Sequence, residues 1–376
     1  MTEYRIDGTC DPAFQSVADA FAQNFETDDE LGAAVAVTKD GELVVDLWGG
    51  HRDAERQLAW EQDTIVCMMS VGKAVSSLCI HMLADRGQLD LDAPISQIWP
   101  AFAQNGKREI PVKWVLSHLS SVPVADAAPR GALYDWNAMT EAIAKQAPLW
   151  KPGTTPCYHT ATQGFILGEI LRNVTGQTLG EFVRNEISRP LRLDYQIGLT
   201  PAEEARCATM IPSAGNILSK AQSDADSLLA RGWAQLPADE DFNSHRWRAC
   251  QIPSANGHGN ARAIARLYGL LALGGAHDGV RLLSRKAIDR ATEEQWKGRD
   301  LMSGLTFRLG MGFYLNCPPD RPMGPSARAF GHSGAGGAQS FGDPDNRIGF
   351  AYSPNRMHGG IDIGSRAARL IEALYA

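Results

Sequence analysis

Two runs of apolar and β-branched residues lie near the start of the chain, at 34–37 and 43–48. Asp40 and Gly41 separate them, and an Asp-Gly pair between two such runs is typical of a β-hairpin. Short apolar runs return near the end of the chain, at 330–334, 338–341 and 348–352. The pattern therefore predicts strands at both ends of the sequence.

Between these runs, apolar residues recur at the three- to four-residue spacing of helices. The segment after Ser70 follows this spacing, and Gly87 is placed to end its helix. Further helices are predicted over 112–118, 162–174, 179–187, 261–273 and 363–374. We expect an α/β fold in which one antiparallel sheet is built from both ends of the chain, 1–69 and 261–376, and a mainly helical lobe, 70–260, is inserted between them.

Composition and charge narrow the classes of protein to consider. The chain has 376 residues, of which 44% are hydrophobic and 21% are charged, as in a globular protein with a large core. Its net charge of −7 argues against a nucleic acid or an anionic membrane as partner. Its first residues lack the pattern of a signal peptide, and no apolar run approaches the length of a membrane span. We expect a cytoplasmic protein.

The cysteines and histidines give no sign of a metal site. The seven cysteines show no C-x-x-C pair, and we expect most of them to be reduced core residues. The nine histidines lack the spacing of zinc ligands, and the glycines around 257–259 match neither a P-loop nor a dinucleotide fingerprint. We therefore expect neither a metal nor a cofactor.

Ser70 and Lys73 form the pattern S-x-x-K at the start of a predicted helix. Three residues apart on a helix, the hydroxyl and the amine lie on one face, close enough to exchange a proton. A serine needs a neighbouring base to act as a nucleophile, and a lysine shielded from water can supply one. A capping serine beside a solvated lysine is the alternative, although the positive end of the helix dipole disfavours a lysine in the first turn.

Two further segments carry candidate chemistry. Tyr158 follows a Pro-Gly loop, and a phenol beside a cation such as Lys73 can give or take a proton; an ordinary half-buried tyrosine is the alternative. Residues 331–337 are rich in glycine, which lets a strand edge approach a ligand and present N–H groups to an oxyanion. A flexible loop with an incidental histidine is the alternative there.

The order and spacing of these segments resemble the class C β-lactamase-like serine hydrolases, and most closely the family VIII carboxylesterases. Ser70 and Lys73 match the nucleophile motif of that family, and residues 112–121 resemble its LLxHxSG stretch. Tyr158 stands at its tyrosine motif, and 331–334 look like the H-x-G form of its third motif. The resemblance covers most of the chain. It implies a β-lactamase/transpeptidase-like fold with the active site at the interface between the sheet domain and the helical lobe.

The resemblance also implies a mechanism. Ser70 would attack the substrate carbonyl, Lys73 and Tyr158 would share the proton transfers, and the N–H groups of Ser70 and Ala335 would form the oxyanion hole. We expect the substrate-binding residues to be His332, Ser333, Gly334 and Thr160, with Asn256 and His258 on the rim of the pocket.

Two positions depart from the β-lactamase pattern. Thr160 replaces the asparagine of Y-x-N, and His332 replaces the lysine that helps to bind a substrate carboxylate. A mostly neutral imidazole is a weak anion anchor at pH 7, so we expect a site without a fixed cation. The prediction is a serine carboxylesterase for small or medium neutral esters, either alone or as a homo-oligomer. The alternatives are a β-lactamase, a D-aminopeptidase or other amidase, an acyltransferase, or a non-catalytic binding protein that kept the fold.

Overall fold

The computed structural model describes residues 4–213, 224, 226–237, 240–360 and 362–376; the others, among them 214–223 of the predicted helical lobe, lie outside the described residues. The strands of the described residues are β1 (Ile6–Cys10), β2 (Gly32–Lys39), β3 (Glu42–Gly50), β4 (Val66–Cys67), β5 (Tyr195–Ile197), β6 (Gly257–Gly259), β7 (Ala276–His277), β8 (Val280–Arg281), β9 (Trp296–Arg299), β10 (Thr306–Leu309), β11 (Tyr314–Leu315), β12 (Phe330–Ser333), β13 (Gln339–Asp343) and β14 (Ile348–Pro354).

Helices lie on both faces of the large sheet that is described below. Other helices belong to the part of the chain between the first and the last strands of that sheet. The helices of the described residues are α1 (Gln15–Thr27), α2 (Val71–Asp85), α3 (Val112–Leu116), α4 (Trp136–Lys145), α5 (Thr162–Thr175), α6 (Leu179–Phe182), α7 (Arg189–Leu191), α8 (Pro201–Glu204), α9 (Leu228–Trp233), α10 (His245–Ala249), α11 (Ala261–Ala272), α12 (Arg285–Ala291) and α13 (Gly364–Leu374).

Nine strands form the large sheet, in the order β1-β3-β2-β14-β13-β12-β11-β10-β9. Neighbouring strands run antiparallel throughout. The first hairpin meets the last strand through β2 and β14, where Ala36 lies opposite Ala351. The predicted α/β fold, with one antiparallel sheet built from both ends of the chain, is confirmed.

The predicted hairpin is present as β2 and β3. Asp40 and Gly41 both have positive φ, 54° and 93°, as a type I′ turn requires. Side chains then alternate between the two faces of the sheet. Val35 and Val37 belong to the core covered by α1 and α13, whereas Ala34 and Ala36 belong to the larger core that includes α11 and the helical region.

Glycines allow α11 to pack closely across β2, β13 and β14. A Cβ on Gly269 would lie 2.2 Å from Thr38 Oγ1, and one on Gly349 would lie 2.2 Å from the Ala265 carbonyl oxygen. Any larger side chain at either position would hold the helix away from the sheet, because interiors are close-packed.

Two predicted helices are shorter in the structure. The helix expected over 112–118 ends at Leu116, since His118 adopts a left-handed φ of 59°. The helix expected over 179–187 is α6 followed by the π-helical segment Val183–Ser188. Among the described residues, no helix is both long enough and apolar enough to cross a membrane. The seven cysteines, all in described positions, are unpaired.

Candidate active site

Ser70 stands at the N-terminal end of α2, a helix that runs through the interior with residues 71–83 buried. The chain reaches Ser70 through Met69, whose φ of 47° lies in a left-handed region that bulky residues rarely adopt. This turn places Ser70 on the wall of a cavity. The positive end of the α2 dipole favours negative charge at that point. Ser70 is therefore accessible to a substrate and set where an oxyanion is stabilised.

The Lys73 amine is buried beneath Ser70, with 1% of the residue exposed. Its Nζ donates to the carbonyl oxygens of Thr160, at 2.8 Å, and Ser254, at 2.9 Å, and lies 3.3 Å from Ser70 Oγ. Burial lowers the pKa of Lys73 well below its ordinary value. A neutral amine has two N–H donors and one lone pair. In its neutral form the amine gives both donors to the carbonyls, and the lone pair is then left for the Ser70 hydroxyl.

Two glycines bring the Ser254 carbonyl to Lys73. A Cβ on Gly72 would lie 2.6 Å from the Pro253 carbonyl oxygen, and one on Gly164 would lie 2.6 Å from Ser254 N. The Gly164 N–H donates to Ser254 Oγ at 2.7 Å. The segment before β6 is thus packed directly against α2 and α5. This packing fixes the carbonyl that accepts from the buried amine.

Tyr158 completes the catalytic group predicted from the sequence. The Lys73 Nζ lies 4.6 Å from the centre of the Tyr158 ring, and Tyr158 lines the same cavity as Ser70. Burial raises the pKa of Tyr158 above its ordinary value, and this outweighs the lowering effects of the Ser70 hydroxyl and the Arg321 charge. The phenol is therefore protonated at neutral pH, and Lys73, whose pKa burial lowers, is the member of the group that more readily becomes a free base.

Ser70 and Ala335 present the two N–H groups predicted for the oxyanion hole. Both residues line the cavity, and neither N–H donates a hydrogen bond within the described part of the chain. Gly334 allows this approach, because a Cβ there would lie 2.3 Å from the Met68 carbonyl oxygen. The Gly334 N–H is itself fixed by the Ala338 carbonyl at 2.7 Å. Two N–H groups without an acceptor among the described residues thus belong to residues that line the cavity, as the predicted oxyanion hole requires.

The cavity has a volume of about 270 Å³. Its apolar wall is formed by Leu229, Met302 and Phe307, and its polar wall includes Ser303, Ser333, Arg321 and Asp362. An apolar surface with a few convergent polar groups is typical of a small-molecule site.

Arg321 contradicts the expectation of a site without a fixed cation. Its guanidinium lies 5.2 Å from the centre of the Phe307 ring and 5.4 Å from that of Tyr314, and it donates to Ser333 Oγ at 3.1 Å. Aromatic faces stabilise a guanidinium ion. This cation lies in the loop that follows β11, outside the family motifs. The expectation was based on the motif position of His332, where a lysine is replaced, and that position gives no information about the loop.

Comparison with known proteins places this geometry in a family. A model described as beta-lactamase matches residues 17–374. The chain belongs to the beta-lactamase family. The curated Esterase/beta-lactamase LipL of Mycobacterium tuberculosis is 33% identical over 366 residues, which cover 94% of this chain and 83% of that protein. The predicted resemblance is confirmed.

Two solved structures are each 38% identical to this beta-lactamase family member. One is a family VIII carboxylesterase, with a TM-score of 0.90 over 98% of this chain and 99% of the other. The second is a penicillin-binding protein homologue from Caulobacter crescentus, with a TM-score of 0.89 over 98% of both chains.

Two of the residues predicted to bind substrate are turned away from the cavity. Thr160 is buried and its Oγ1 donates to the Gly232 carbonyl at 3.0 Å, so only its own carbonyl serves the site, through Lys73. His332 is buried behind the cavity wall, with Nδ1 bonded to the Ser333 carbonyl and its ring stacked on Tyr314 at 4.2 Å. Their motif positions are those of substrate ligands, but their side chains pack in the interior.

Asn256 and His258 are not on the pocket rim. Asn256 is fully buried, and its amide bonds to backbone groups of 247, 250 and 252. His258 is buried in β6, where Nδ1 bonds to the Asn256 carbonyl. Asn256 therefore fixes the segment before β6, and His258 lies in β6, the central strand of a three-stranded sheet with β4 and β5. Of the predicted substrate-binding residues, Ser333 and Gly334 do line the cavity.

Besides much of the cavity wall, sequence reasoning missed Ser254, Arg321 and Asp300. Ser254 acts through its carbonyl, and a carbonyl leaves no signal in residue type. Arg321 stands in a loop with no motif around it. Asp300 is a buried carboxylate, 2% exposed, that accepts a hydrogen bond from the Tyr158 N–H at 2.7 Å.

Proposed function

We propose that this protein is a serine hydrolase that cleaves carboxylic esters through an acyl-enzyme on Ser70. The observation that carries the proposal is the buried Lys73 amine, which lies 3.3 Å from Ser70 Oγ and whose pKa is lowered well below its ordinary value by burial. Such an amine can take the hydroxyl proton as the serine attacks. Relatives that are described as an esterase and a carboxylesterase, matched over nearly the whole chain, support the ester as substrate.

In the acylation step, Ser70 Oγ bonds to the substrate carbonyl carbon while its proton passes to Lys73. The N–H groups of Ser70 and Ala335 stabilise the tetrahedral oxyanion. The Tyr158 hydroxyl donates its proton to the leaving alkoxide and is reprotonated by the Lys73 ammonium, so the alcohol leaves neutral. A protonated amine is disfavoured by its burial, which drives this return of the proton.

Deacylation repeats these steps with water as the nucleophile. Water gives its proton to the Lys73 and Tyr158 group and attacks the acyl carbon, and Ser70 leaves with the proton returned.

The active site then lies between the proposed sheet domain, 1–69 and 261–376, and the proposed helical lobe, 70–260. The unpaired cysteines favour a reducing compartment such as the cytoplasm.

Arg321 supports a second candidate, an amide-directed or β-lactam-directed activity. A guanidinium that lines the cavity and contacts Ser333 can attract a substrate carboxylate. The expected preference for neutral esters was based on the absence of a cation from the site. Because Arg321 is such a cation, that reason no longer applies. Substrates that carry a carboxylate, including β-lactams, are therefore candidates beside neutral esters.

The experiment is one panel of substrates on one preparation. It compares p-nitrophenyl acetate, butyrate and octanoate with nitrocefin, with Ser70→Ala as the control. We expect hydrolysis of the short esters and its loss in the variant. Nitrocefin turnover equal to or above that of the butyrate would favour the second candidate. Absence of both activities, together with failure to react with a fluorophosphonate, would indicate a binding protein that kept the fold.

A further inference from the structure

The segment that carries Tyr158 has no helix or strand of its own. Its position is set instead by acceptors from two distant parts of the chain. The N–H of Cys157 donates to the His118 carbonyl at 3.1 Å, that of Tyr158 to Asp300 Oδ1 at 2.7 Å, and that of His159 to His118 Nδ1 at 3.2 Å. Three successive backbone N–H groups around a candidate catalytic residue thus donate to acceptors on residues that are distant in the sequence.

Asp300 links this segment to the wall of the cavity. Its Oδ1 accepts from Tyr158 N, while its Oδ2 accepts from Met302 N at 3.1 Å, Ser303 N at 2.7 Å and Ser303 Oγ at 2.8 Å. Met302 and Ser303 both line the cavity. One buried carboxylate therefore connects the Tyr158 backbone to two residues that would face a bound substrate.

His118 holds the other side of the segment. Its left-handed φ of 59° directs both its carbonyl and its ring toward residues 157–159, and the ring lies 4.9 Å from that of Tyr158. Burial lowers the pKa of His118 well below its ordinary value, so Nδ1 stays free to accept. A non-glycine residue keeps such a backbone conformation only where the surroundings require it.

We propose that Asp300 and His118 are positioning residues that clamp Tyr158 in reach of Ser70 and Lys73, and that Asp300 couples the substrate-facing wall to Tyr158. This inference rests on the proposed function, because it assigns Tyr158 its place in the proton transfers. Reacting groups must be held to within about 1 Å, since a displacement of that size costs about 100-fold in rate.

The test is Asp300→Asn, which keeps the volume of the side chain and removes one acceptor oxygen. Three donors on the Oδ2 side will hold the single remaining oxygen, so the new amide N–H₂ faces the Tyr158 N–H and displaces it. We expect kcat per active site, titrated with a fluorophosphonate, to fall about 30-fold while KM changes less than about threefold. Asp53→Asn is the matched control, because Asp53 is also a buried carboxylate that accepts a backbone N–H, from Leu58 at 2.7 Å, and it does not line the cavity.

A double-mutant cycle separates positioning from general stability. If Asp300 acts through Tyr158, Asp300→Asn placed in a Tyr158→Phe background should lower kcat by less than about threefold further. The full 30-fold loss in that background, or an unchanged kcat per titrated site in Asp300→Asn itself, would overturn the proposal. An inactive wild type would overturn the proposed function as well, whereas an active wild type with an insensitive Asp300 would overturn this inference alone.

His118 provides a second pair of variants that does not depend on the folding of Asp300→Asn. His118→Asn tolerates a positive φ and places an amide oxygen where Nδ1 now accepts, whereas His118→Ala removes the acceptor. We expect kcat per titrated site to be about tenfold higher in His118→Asn than in His118→Ala. Equal values in the two variants would contradict the clamp.

Discussion

The substitution Gly334→Ala tests the oxyanion hole through a single methyl group. The added Cβ would lie 2.3 Å from the Met68 carbonyl oxygen and 3.2 Å from Ala338 Cβ. Ordinary contacts between such atoms are near 3.4 Å, so the end of β12 must move away from the turn before Ser70 by about 1 Å. The N–H of Ala335 belongs to the next peptide group and moves with it.

Loss of one oxyanion donor lowers kcat by about 100-fold to 1,000-fold, and a displacement of about 1 Å gives a similar loss. We therefore expect kcat for p-nitrophenyl butyrate to fall about 100-fold, which is about 2.7 kcal/mol in the barrier. Fluorophosphonate labelling should slow in parallel, because the phosphonate oxygen uses the same donors.

The control is Gly87→Ala, at the end of α2, where φ is 71° and no atom lies within 4 Å of the added Cβ. That variant should lose about 1 kcal/mol of stability through its backbone and keep its kcat. A folded Gly334→Ala protein that retains more than about a third of the wild-type kcat would refute the assignment of the Ala335 N–H.

Three further predictions concern the charges of the site. Lys73→Ala and Tyr158→Phe should each lower kcat by about 1,000-fold. Because the two side chains act as one proton-transfer unit, the double variant should be little worse than either single variant. Losses that multiply in steady-state kinetics would contradict this. Arg321→Gln should lower kcat/KM for p-nitrophenyl hydrogen glutarate at least about tenfold more than for p-nitrophenyl pentanoate. The control is Arg328→Gln, which changes an exposed arginine paired with Asp345 and should not discriminate between the two esters. Equal losses for both esters in Arg321→Gln would contradict an anion site at Arg321. Since the pKa of Lys73 is lower in the folded than in the unfolded chain, unfolding takes up a proton, and the free energy of unfolding rises with pH while the folded amine is neutral. Between pH 7 and about pH 9, urea titrations should give a slope about 1.4 kcal/mol per pH unit steeper in wild type than in Lys73→Ala, and equal slopes would mean that the folded amine is charged.

The features predicted correctly from the sequence are those encoded by neighbouring residues. The Asp40-Gly41 hairpin depends on two backbone conformations that those residue types favour, and the helix after Ser70 depends on an apolar spacing within one segment. The contact between Ser70 and Lys73 follows from their separation of three residues on that helix.

The features that were missed depend on contacts between distant parts of the chain. The Lys73 amine is held by the carbonyl of Ser254, and Tyr158 by the carboxylate of Asp300. Nothing in the residues near 73 or 158 indicates either partner. His332 and Thr160 were predicted from motif positions, but a motif position does not determine whether a side chain faces the cavity or the interior, and in both cases the interior contacts prevail.

The central claim is a covalent acyl-enzyme on Ser70, and the most direct test is mass spectrometry of the protein quenched within one turnover of p-nitrophenyl butyrate. The account predicts an added mass of one butyryl group, found on the peptide that contains Ser70 and absent from Ser70→Ala. Acylation of any other residue, or ester turnover that persists in Ser70→Ala, would contradict it.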